Sequence, residues 1–265
     1  CITFVAGGRL NFDCLAVNDV SSYAIYSLDP SQCLPLYRYD SDGTRHDNLT
    51  DWGLQQFKTH YQDDSITKES IFHYTYSVLH HPAYRSKYEL NLKREFPRLP
   101  FYADFHKWSD IGKTLMDLHL NYETTVPTTL AVVEAPVPTT SAVAPVQTTL
   151  AVSETAKPVS KPTPKPKLKA DKEAGTITLD SQTTLIGIPA LAWQYKLGNR
   201  SALEWILDQY KEKKPRDATI AEKFNTYRFA DYKEEVIDLL CRVCTVSVKT
   251  MEIINEMPDG GDGDG

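Results

Sequence analysis

The sequence predicts an α+β fold: a small β-rich region plus a helical bundle, interrupted by a long Pro/Thr/Lys-rich disordered insert. Three observations support this prediction. Short apolar runs separated by turn residues fill the first sixty positions, apolar residues recur at helical spacing after Ser65, and no aromatic residue occurs between Glu123 and Ala192. At 265 residues, the chain has room for one large domain or two modest ones.

Residues 1–61 are predicted to form the β-rich part. Turn residues at Gly7-Gly8, Asp29-Pro30 and Asp42-Gly43 separate the apolar runs. A small, mostly antiparallel sheet is the simplest product of this pattern, with strands at Ile2–Val5, Cys14–Val17, Tyr23–Tyr26 and Cys33–Tyr39.

Residues 62–123 are predicted to form a helical part. A Ser65/Thr67 cap precedes an apolar stripe that runs from Ile71 to Leu79, and Pro82 stands where a second helix would begin. A third helix carries its apolar side chains on one face, at Phe105, Trp108, Ile111, Leu115 and Leu118.

Residues 124–172 are predicted to be a disordered, low-complexity linker. This stretch holds half of the 16 prolines, and the heptapeptide Val126–Val132 recurs in similar form at 137–143 and 146–152. Lysines interleaved with prolines follow from Lys157 to Lys172, which is typical of an extended, solvated tether. Transient contact of these lysines with phosphate is the alternative interpretation.

Residues 173–257 are predicted to return to strands and helices. Two strands cover Gly175–Asp180 and Thr184–Ile188, and Pro189 begins a short helix that ends near Gly198. Ser201 to Glu204 spell a capping box for the next helix, and a last helix is predicted over 231–257. The tail 258–265 is predicted to be disordered.

Composition limits the classes of function. A net charge of −6 and a pI of about 5.7 argue against a protein that coats phosphate generally, although a local basic face can still act in an acidic chain. No apolar run approaches the ~20 residues of a membrane-spanning helix, so no membrane association is expected. Five cysteines and the absence of a signal peptide predict a cytoplasmic protein.

Motifs for catalysis are missing from the sequence. DNA adenine methyltransferases grip a flipped base with an Asn/Asp-Pro-Pro-aromatic loop, and no Pro-Pro pair occurs here. Gly7-Gly8-Arg9 follows a strand without a helix behind it, so it lacks the context of a nucleoside-binding loop. Asp208 and Glu212 imitate a nuclease motif, but they lie along one predicted helix face. We therefore expect no catalytic residue and no cofactor in this chain.

Cysteine and histidine groupings predict structural roles rather than a metal site. Cys241 and Cys244 form a single C-x-x-C with no second pair at zinc-finger spacing. His73, His80 and His81 share one predicted helix, but they lack an i, i+4 pair with an acid nearby.

Two clusters and one strand are candidates for nucleic-acid contact. Tyr195, Lys196, Asn199 and Arg200 combine an aromatic ring, two cations and an amide ahead of a helix N-terminus, which would favour an anion. Asn and Arg can each make bidentate contacts with base edges. The alternative is a helix corner in which the arginine pairs with an acid. The second cluster contains Arg85, and the strand Tyr37-Arg38-Tyr39 contributes Arg38; a salt-bridged surface is the alternative for the second cluster.

Several runs resemble the C-terminal specificity domain of Type ISP restriction-modification enzymes, and they occur in the family's order. These runs are Cys33–Tyr37, Ile66–Phe72, Tyr76–Arg85, Phe96–Phe101, Leu118–Tyr122 and Tyr195–Trp205. The resemblance implies a target-recognition domain that reads double-stranded DNA. It also implies an N6-adenine methyltransferase core on the same polypeptide, outside this chain, which would use S-adenosylmethionine in defence against foreign DNA.

The sequence thus predicts a DNA target-recognition module of an adenine-specific methyltransferase with restriction activity. The Pro/Thr-rich insert departs from the family pattern and lengthens the join between the two halves. A protein-interaction module, whose helices dock onto a partner without independent DNA binding, is the alternative prediction.

Overall fold

The computed structural model describes residues 1–5, 12–19, 21, 31–134, 164–213, 215, 217, 219 and 226–260. Helices and strands are mixed along the chain, as expected for an α+β fold. The strands are β1 Ile2–Val5, β2 Asp13–Ala16, β3 Gln32–Leu34, β4 Tyr37–Tyr39, β5 Arg45–Asp47, β6 Ala131–Glu134, β7 Pro166–Asp171, β8 Thr176–Asp180, β9 Thr183–Ile186, β10 Lys196–Leu197 and β11 Arg200–Ser201. The α-helices are α1 Asp51–Tyr61, α2 Lys68–His80, α3 Pro82–Lys87, α4 Glu89–Leu92, α5 Phe105–Leu120, α6 Ala202–Gln209 and α7 Lys233–Asn255.

The strands form four separate antiparallel sheets among the described residues. The order is β2-β1-β3 in the first sheet and β6-β9-β8-β7 in the largest, while β4-β5 and β10-β11 are two-stranded hairpins. Short 3₁₀ turns cover Tyr122–Thr124, Ala190–Trp193 and Phe229–Asp231.

The first hydrophobic core lies between the β1-β2-β3 sheet and helices α1, α2 and α5. Helices α2 and α5 approach closely at Gly112, where an added Cβ would lie 1.8 Å from the carbonyl oxygen of His73. Many of the buried side chains are aromatic, among them Phe4, Tyr74, Tyr76, Tyr84, Phe105 and Trp108. This core is a helix pair covered on one side by a small sheet.

The second hydrophobic core lies between the four-stranded sheet, α6 and α7. Ile177, Leu179 and Leu185 point from the sheet into this core, and Leu203 and Leu240 meet them from the helices. The alternation of buried and more exposed residues along β8 follows from the two faces of a strand.

Helix α7 joins the two cores. Its residues between Val236 and Met251 pack in the second core, whereas Ile253 and the following Met257 pack against the first. His119 of α5 is hydrogen-bonded to Thr250 of α7 at 2.9 Å, and Arg242 donates to the carbonyl oxygen of Thr125 at 2.7 Å. The two cores therefore share one long helix.

Side-chain caps begin four of the described helices, α1, α2, α5 and α6. Thr67 and Ser70 form a capping box at α2, and Ser201 and Glu204 form the predicted one at α6. Asp104 caps α5 by accepting from the backbone N–H of Lys107. The helices predicted behind the Ser65/Thr67 cap, on the apolar stripe from Phe105 to Leu118 and over 231–257 are confirmed as α2, α5 and α7.

The structure corrects three predictions. Helix α1 occupies Asp51–Tyr61, inside the part predicted to be β-rich. Both ends of the predicted linker are ordered, because β6 and β7 pair with β9 and β8. Gly198 is not a helix C-cap; with φ of +68° it is the first residue of a hairpin turn.

Some predictions lie outside the described residues. These are the strand at Tyr23–Tyr26, the turns at Gly7-Gly8 and Asp29-Pro30, most of the tail 258–265, and 135–163 of the insert. Among the described helices, none combines the length and the apolar character that a bilayer-spanning segment requires.

Candidate nucleic-acid interface

The predicted cluster at 195–200 forms a tight hairpin. Strands β10 and β11 pair Lys196 with Ser201 and Leu197 with Arg200, so Gly198 and Asn199 make a two-residue turn. A positive φ at the first turn position suits glycine and is typical of the hairpin turns that match the twist of the strands. The turn presents Asn199 at its tip.

Three of the four predicted side chains in this cluster face solvent. Lys196 and Asn199 are exposed, and 44% of the Arg200 side chain is accessible. Tyr195 is instead buried, and its ring stacks on His119 at a centroid distance of 5.4 Å. Tyr195 therefore lies behind the hairpin and packs it onto α5, so a base-stacking role for this ring has no structural basis.

Arg200 has an acidic neighbour, as the alternative interpretation expected. Its guanidinium lies 3.1 Å from Asp208 and 5.6 Å from the ring centroid of Trp205. Burial tends to raise the pKa of Asp208, but Arg200 and Lys211 outweigh it, and the pKa lies below its ordinary value. Trp205 donates from Nε1 to the carbonyl oxygen of Leu197 at 2.7 Å and ties the hairpin to α6.

The predicted anion site at the helix N-terminus is wrong. The carboxylate of Glu204 accepts from the backbone N–H of Ser201 at 2.9 Å and from its hydroxyl at 2.8 Å. Glu204 also pairs with Lys172 at 2.9 Å. Since the N-terminus of α6 is capped by its own carboxylate, a phosphate would be repelled there rather than attracted.

The turn is held from behind by a residue that sequence reasoning missed. Asp13 of β2 is 5% exposed, and its Oδ2 accepts from the backbone N–H of Gly198 at 2.6 Å. Its Oδ1 accepts from Cys14 N–H at 2.9 Å and from Arg85 Nη2 at 3.4 Å. An aspartate at the start of an apolar strand was the only signal in the sequence.

Arg85 is an internal partner of that aspartate. Its Nε donates to the carbonyl oxygen of Leu79 at 2.6 Å, and its guanidinium lies 5.6 Å from the ring centroid of Phe12. Burial raises the pKa of Asp13, while Arg85 and two backbone donors counteract that rise. Arg85 was predicted as a DNA contact; the structure shows it bound inside the protein, so we do not carry it into the proposed contacts.

Arg38 lies on the other hairpin, β4-β5. It pairs with His46 across the strands and is exposed, and the adjacent Tyr39 is 65% exposed. Arg45 lies 4.3 Å from the ring centroid of Tyr37, and His46 binds Asp40 at 2.6 Å. The Arg38 side chain is therefore accessible on this hairpin, with few neighbouring groups to hold it in place.

Strand β7 adds cations beside the 195–200 hairpin. It is an edge strand, and Lys165, Lys167 and Lys169 are exposed on it or next to it. A shallow groove of about 210 Å³ lies between β7 and α6 and is lined by Lys169, Arg200 and Lys211 together with Glu204 and Asp208. The acidic chain thus has a locally cationic edge.

The described residues do not form a cluster of metal-ligating side chains. They contain no group of three or more His, Cys, Asp or Glu side chains that could hold a metal ion. Cys244 is fully buried and Cys241 partly so, and burial raises both thiol pKa values. Glu212 accepts from the backbone N–H of Phe229 at 2.9 Å, which is a structural role.

Solved structures with DNA are similar to this chain over nearly all of its length. A DrdV-DNA complex matches with 47% identity and a TM-score of 0.84, covering 97% of this chain and 24% of that one. A nuclease-deletion mutant of the Type ISP enzyme LlaGI with a DNA substrate mimic matches with 30% identity and a TM-score of 0.69, covering 97% and 21%. The ATP-dependent Type ISP enzyme LlaBIII bound to DNA matches with 25% identity and a TM-score of 0.69, covering 98% and 16%.

The chain spans less than a quarter of the length of each of these solved chains. No curated protein sequence matches it. The family model described as the Type ISP C-terminal specificity domain matches residues 1–239. Together with the shared fold, this match shows that the chain belongs to the Type ISP C-terminal specificity domain family.

Proposed function

We propose that this chain is the DNA target-recognition module of a restriction-modification enzyme. The observation that carries the proposal is the 195–200 hairpin, which presents Lys196, Asn199 and Arg200 to solvent in a domain whose solved relatives are complexes with DNA. An N6-adenine methyltransferase core on the same polypeptide would supply the chemistry with S-adenosylmethionine. All five cysteines are free thiols, which fits a cytoplasmic location.

Base reading and phosphate binding fall to different side chains in this proposal. Asn199 and Arg200 contact base edges in the major groove, where an amide suits adenine and a guanidinium suits guanine. Lys196 and the exposed lysines of β7 contact phosphates and set the register of the protein on the duplex. Arg38 is a further phosphate contact on the β4-β5 hairpin.

The ion pair between Arg200 and Asp208 does not prevent base reading. A partly exposed pair of this kind contributes at most about 1 kcal/mol, whereas a bidentate arginine–guanine contact discriminates by ~1–3 kcal/mol. Asp208 also has Lys211 as a second partner at 3.4 Å, so it keeps a counter-charge when Arg200 turns to a base. The exchange of partners is therefore favourable.

A binding titration against a pool of random duplexes at several salt concentrations tests the proposal. The unmodified chain should select a defined sequence and show a clear salt dependence. Arg200→Lys keeps the charge but loses the bidentate fork, so it should relax selection at one position. Lys196→Ala should weaken all sequences evenly and reduce the salt slope by about 1.

Lys113→Ala is the matched control, because Lys113 is an exposed lysine on α5 that already pairs with Asp117 at 2.7 Å. It should leave selection and salt slope unchanged. If the unmodified chain shows neither sequence selection nor salt dependence, DNA recognition is rejected and a protein-interaction module is favoured.

A further inference from the structure

The 195–200 hairpin is too short to fix its own position. Each strand contributes two residues, and isolated hairpins even longer than this are marginal in water. Its orientation therefore depends on contacts with the rest of the protein. Those contacts include the stacking of Tyr195 on His119, the hydrogen bond from Trp205 to Leu197, the capping box at Ser201, and the carboxylate of Asp13 at the turn.

The Asp13 contact differs from the others because it is a hydrogen bond from the first core directly to the backbone of the turn. The donor is the backbone N–H of Gly198 in the turn, and it lies 185 residues from Asp13 in sequence. A hydrogen bond to a carboxylate is charge-assisted, and a low-dielectric setting strengthens it. The contact reaches the residue directly before Asn199, so any movement of Asp13 moves the tip of the hairpin.

Asp13 is itself held by α2 through Arg85. Arg85 donates to the carbonyl oxygen of Leu79, near the end of α2, and to the carboxylate of Asp13. Its Nη2 also lies 3.6 Å from the sulfur of Cys14, and 28% of its side chain is accessible. A continuous set of hydrogen bonds thus runs from the closely packed helix pair through Arg85 and Asp13 to the hairpin turn.

Stability alone is a weak reason for such an arrangement. Desolvating an ion pair can cost as much as the pair gains, and apolar replacements are often no less stable. Side chains that read base edges must instead be held within a fraction of an ångström of the productive geometry by a supporting set of hydrogen bonds. The Asp13–Arg85 pair supplies that support at the turn.

We propose that Asp13, held by Arg85, is a positioning residue that fixes the Gly198–Asn199 turn and so determines which base edges Asn199 and Arg200 reach. The inference rests on the proposed function, because it names what sets the specificity of that same hairpin. Asp13 itself contacts no DNA in this arrangement.

The double variant Asp13→Asn/Arg85→Gln in the full chain tests the proposal. It removes both charges together, so neither is left buried without a partner. Amide hydrogen exchange of the 196–201 segment, followed by mass spectrometry, should accelerate about tenfold or more, because the turn opens locally without unfolding the cores. The ratio of specific to non-specific DNA affinity should fall about tenfold, with the salt slope unchanged, since the phosphate-contacting lysines remain.

Asp180→Asn/Lys233→Gln is a matched control within the second core. Asp180 is also a buried carboxylate that accepts from two backbone N–H groups and pairs with a lysine, at 2.9 Å, but it lies at the end of β8. This variant should leave exchange at 196–201 and the affinity ratio unchanged. If both double variants change these two quantities equally, Asp13 has only a structural role and the proposal is overturned.

Two further outcomes separate this inference from the proposed function. Unchanged exchange at 196–201 in the Asp13 variant overturns the positioning role, whatever the DNA data show. A lack of sequence preference in the unmodified chain rejects the proposed function, while the exchange result still decides whether Asp13 holds the turn. If the double variant does not fold, Asp13→Asn alone is measured by the same two quantities.

Discussion

The two cores of this protein are built differently and have different tasks. The first is a helix pair rich in buried aromatic rings, and its tyrosine hydroxyls bind loop carbonyls, as Tyr74 does with Pro100 at 2.6 Å and Tyr84 with Arg98 at 2.8 Å. The second is a sheet covered by two helices, with mainly aliphatic side chains. The first core forms a base of closely packed helices, and the second carries the 195–200 hairpin, which this base contacts through Asp13.

The largest expected effect on folding stability comes from a substitution at the close contact between α2 and α5 in the first core. Gly112→Ala places a Cβ 1.8 Å from the backbone oxygen of His73, so α2 and α5 must separate. We expect the free energy of unfolding to fall by about 3 kcal/mol or more, measured by urea denaturation. The glycine of α1 serves as the control, because a Cβ at Gly53 meets its nearest atom at 3.4 Å, and Gly53→Ala should be neutral or slightly stabilising. A loss below ~1 kcal/mol at Gly112 would contradict the close approach.

The next largest expected effect is a loss of folding stability at acidic pH, which is caused by buried histidines near the junction of the cores. Burial lowers the pKa of His119 to about 3 and that of His80 well below its ordinary value, with Arg85 and His119 adding to the shift at His80. Both rings are therefore neutral in the folded protein and gain protons on unfolding. Stability is complete above pH ~6.5 and falls below it, by roughly 1 kcal/mol per histidine between pH 6.5 and 5.5.

Unfolding measured across this pH range in unmodified protein and in His119→Gln checks the prediction. Glutamine cannot titrate, so the variant should lose roughly 1 kcal/mol of the pH dependence between pH 6.5 and 5.5. The rest should remain, because burial also lowers the pKa values of His73, His80 and His81. A pH dependence equal to that of the unmodified protein would show that His119 is not the titrating group.

The smallest expected effect comes from the two capping boxes, one in each core. Ser201 is fully buried, whereas Thr67 begins α2 at an exposed position. Ser201→Ala should cost about 1–2 kcal/mol and Thr67→Ala about 0.5–1 kcal/mol, because water has less access to replace the hydrogen bonds of the buried Ser201 hydroxyl. Equal losses in thermal or urea unfolding would argue that the α6 cap is as accessible to water as the α2 cap.

Elements with strong local signals could be predicted from the sequence. Helices α2, α5, α6 and α7 have a cap, an apolar stripe or both, and each is found within a few residues of its predicted place. Helix α1 was missed because Gly53 and a polar surface leave only a thin apolar stripe, with Phe57 its one buried residue. Strand β6 was also missed, because it lies in a stretch whose composition predicts disorder. Its partner β9 begins about fifty residues later, so no local pattern indicates the pairing.

The candidate site shows the same limit. Exposed Lys196, Asn199 and Arg200 could be predicted from residue type and from the capping box that follows them. The burial of Tyr195 and the internal role of Arg85 depend on His119 and Asp13, which are remote in sequence. Local patterns could name the hairpin residues but could not show which of them face inward.

Because α7 belongs to both cores, the chain should tolerate changes in the connection between its two halves. Strands β6 and β7 are the two outer strands of one sheet, so the residues that join them can change in number without altering the sheet between them. Polypeptides ending at β6 and beginning at β7 would also reassemble when mixed, because the second fragment supplies α7 and the sheet partners of the first. Fragment complementation of this kind would allow the two halves to be labelled or exchanged independently.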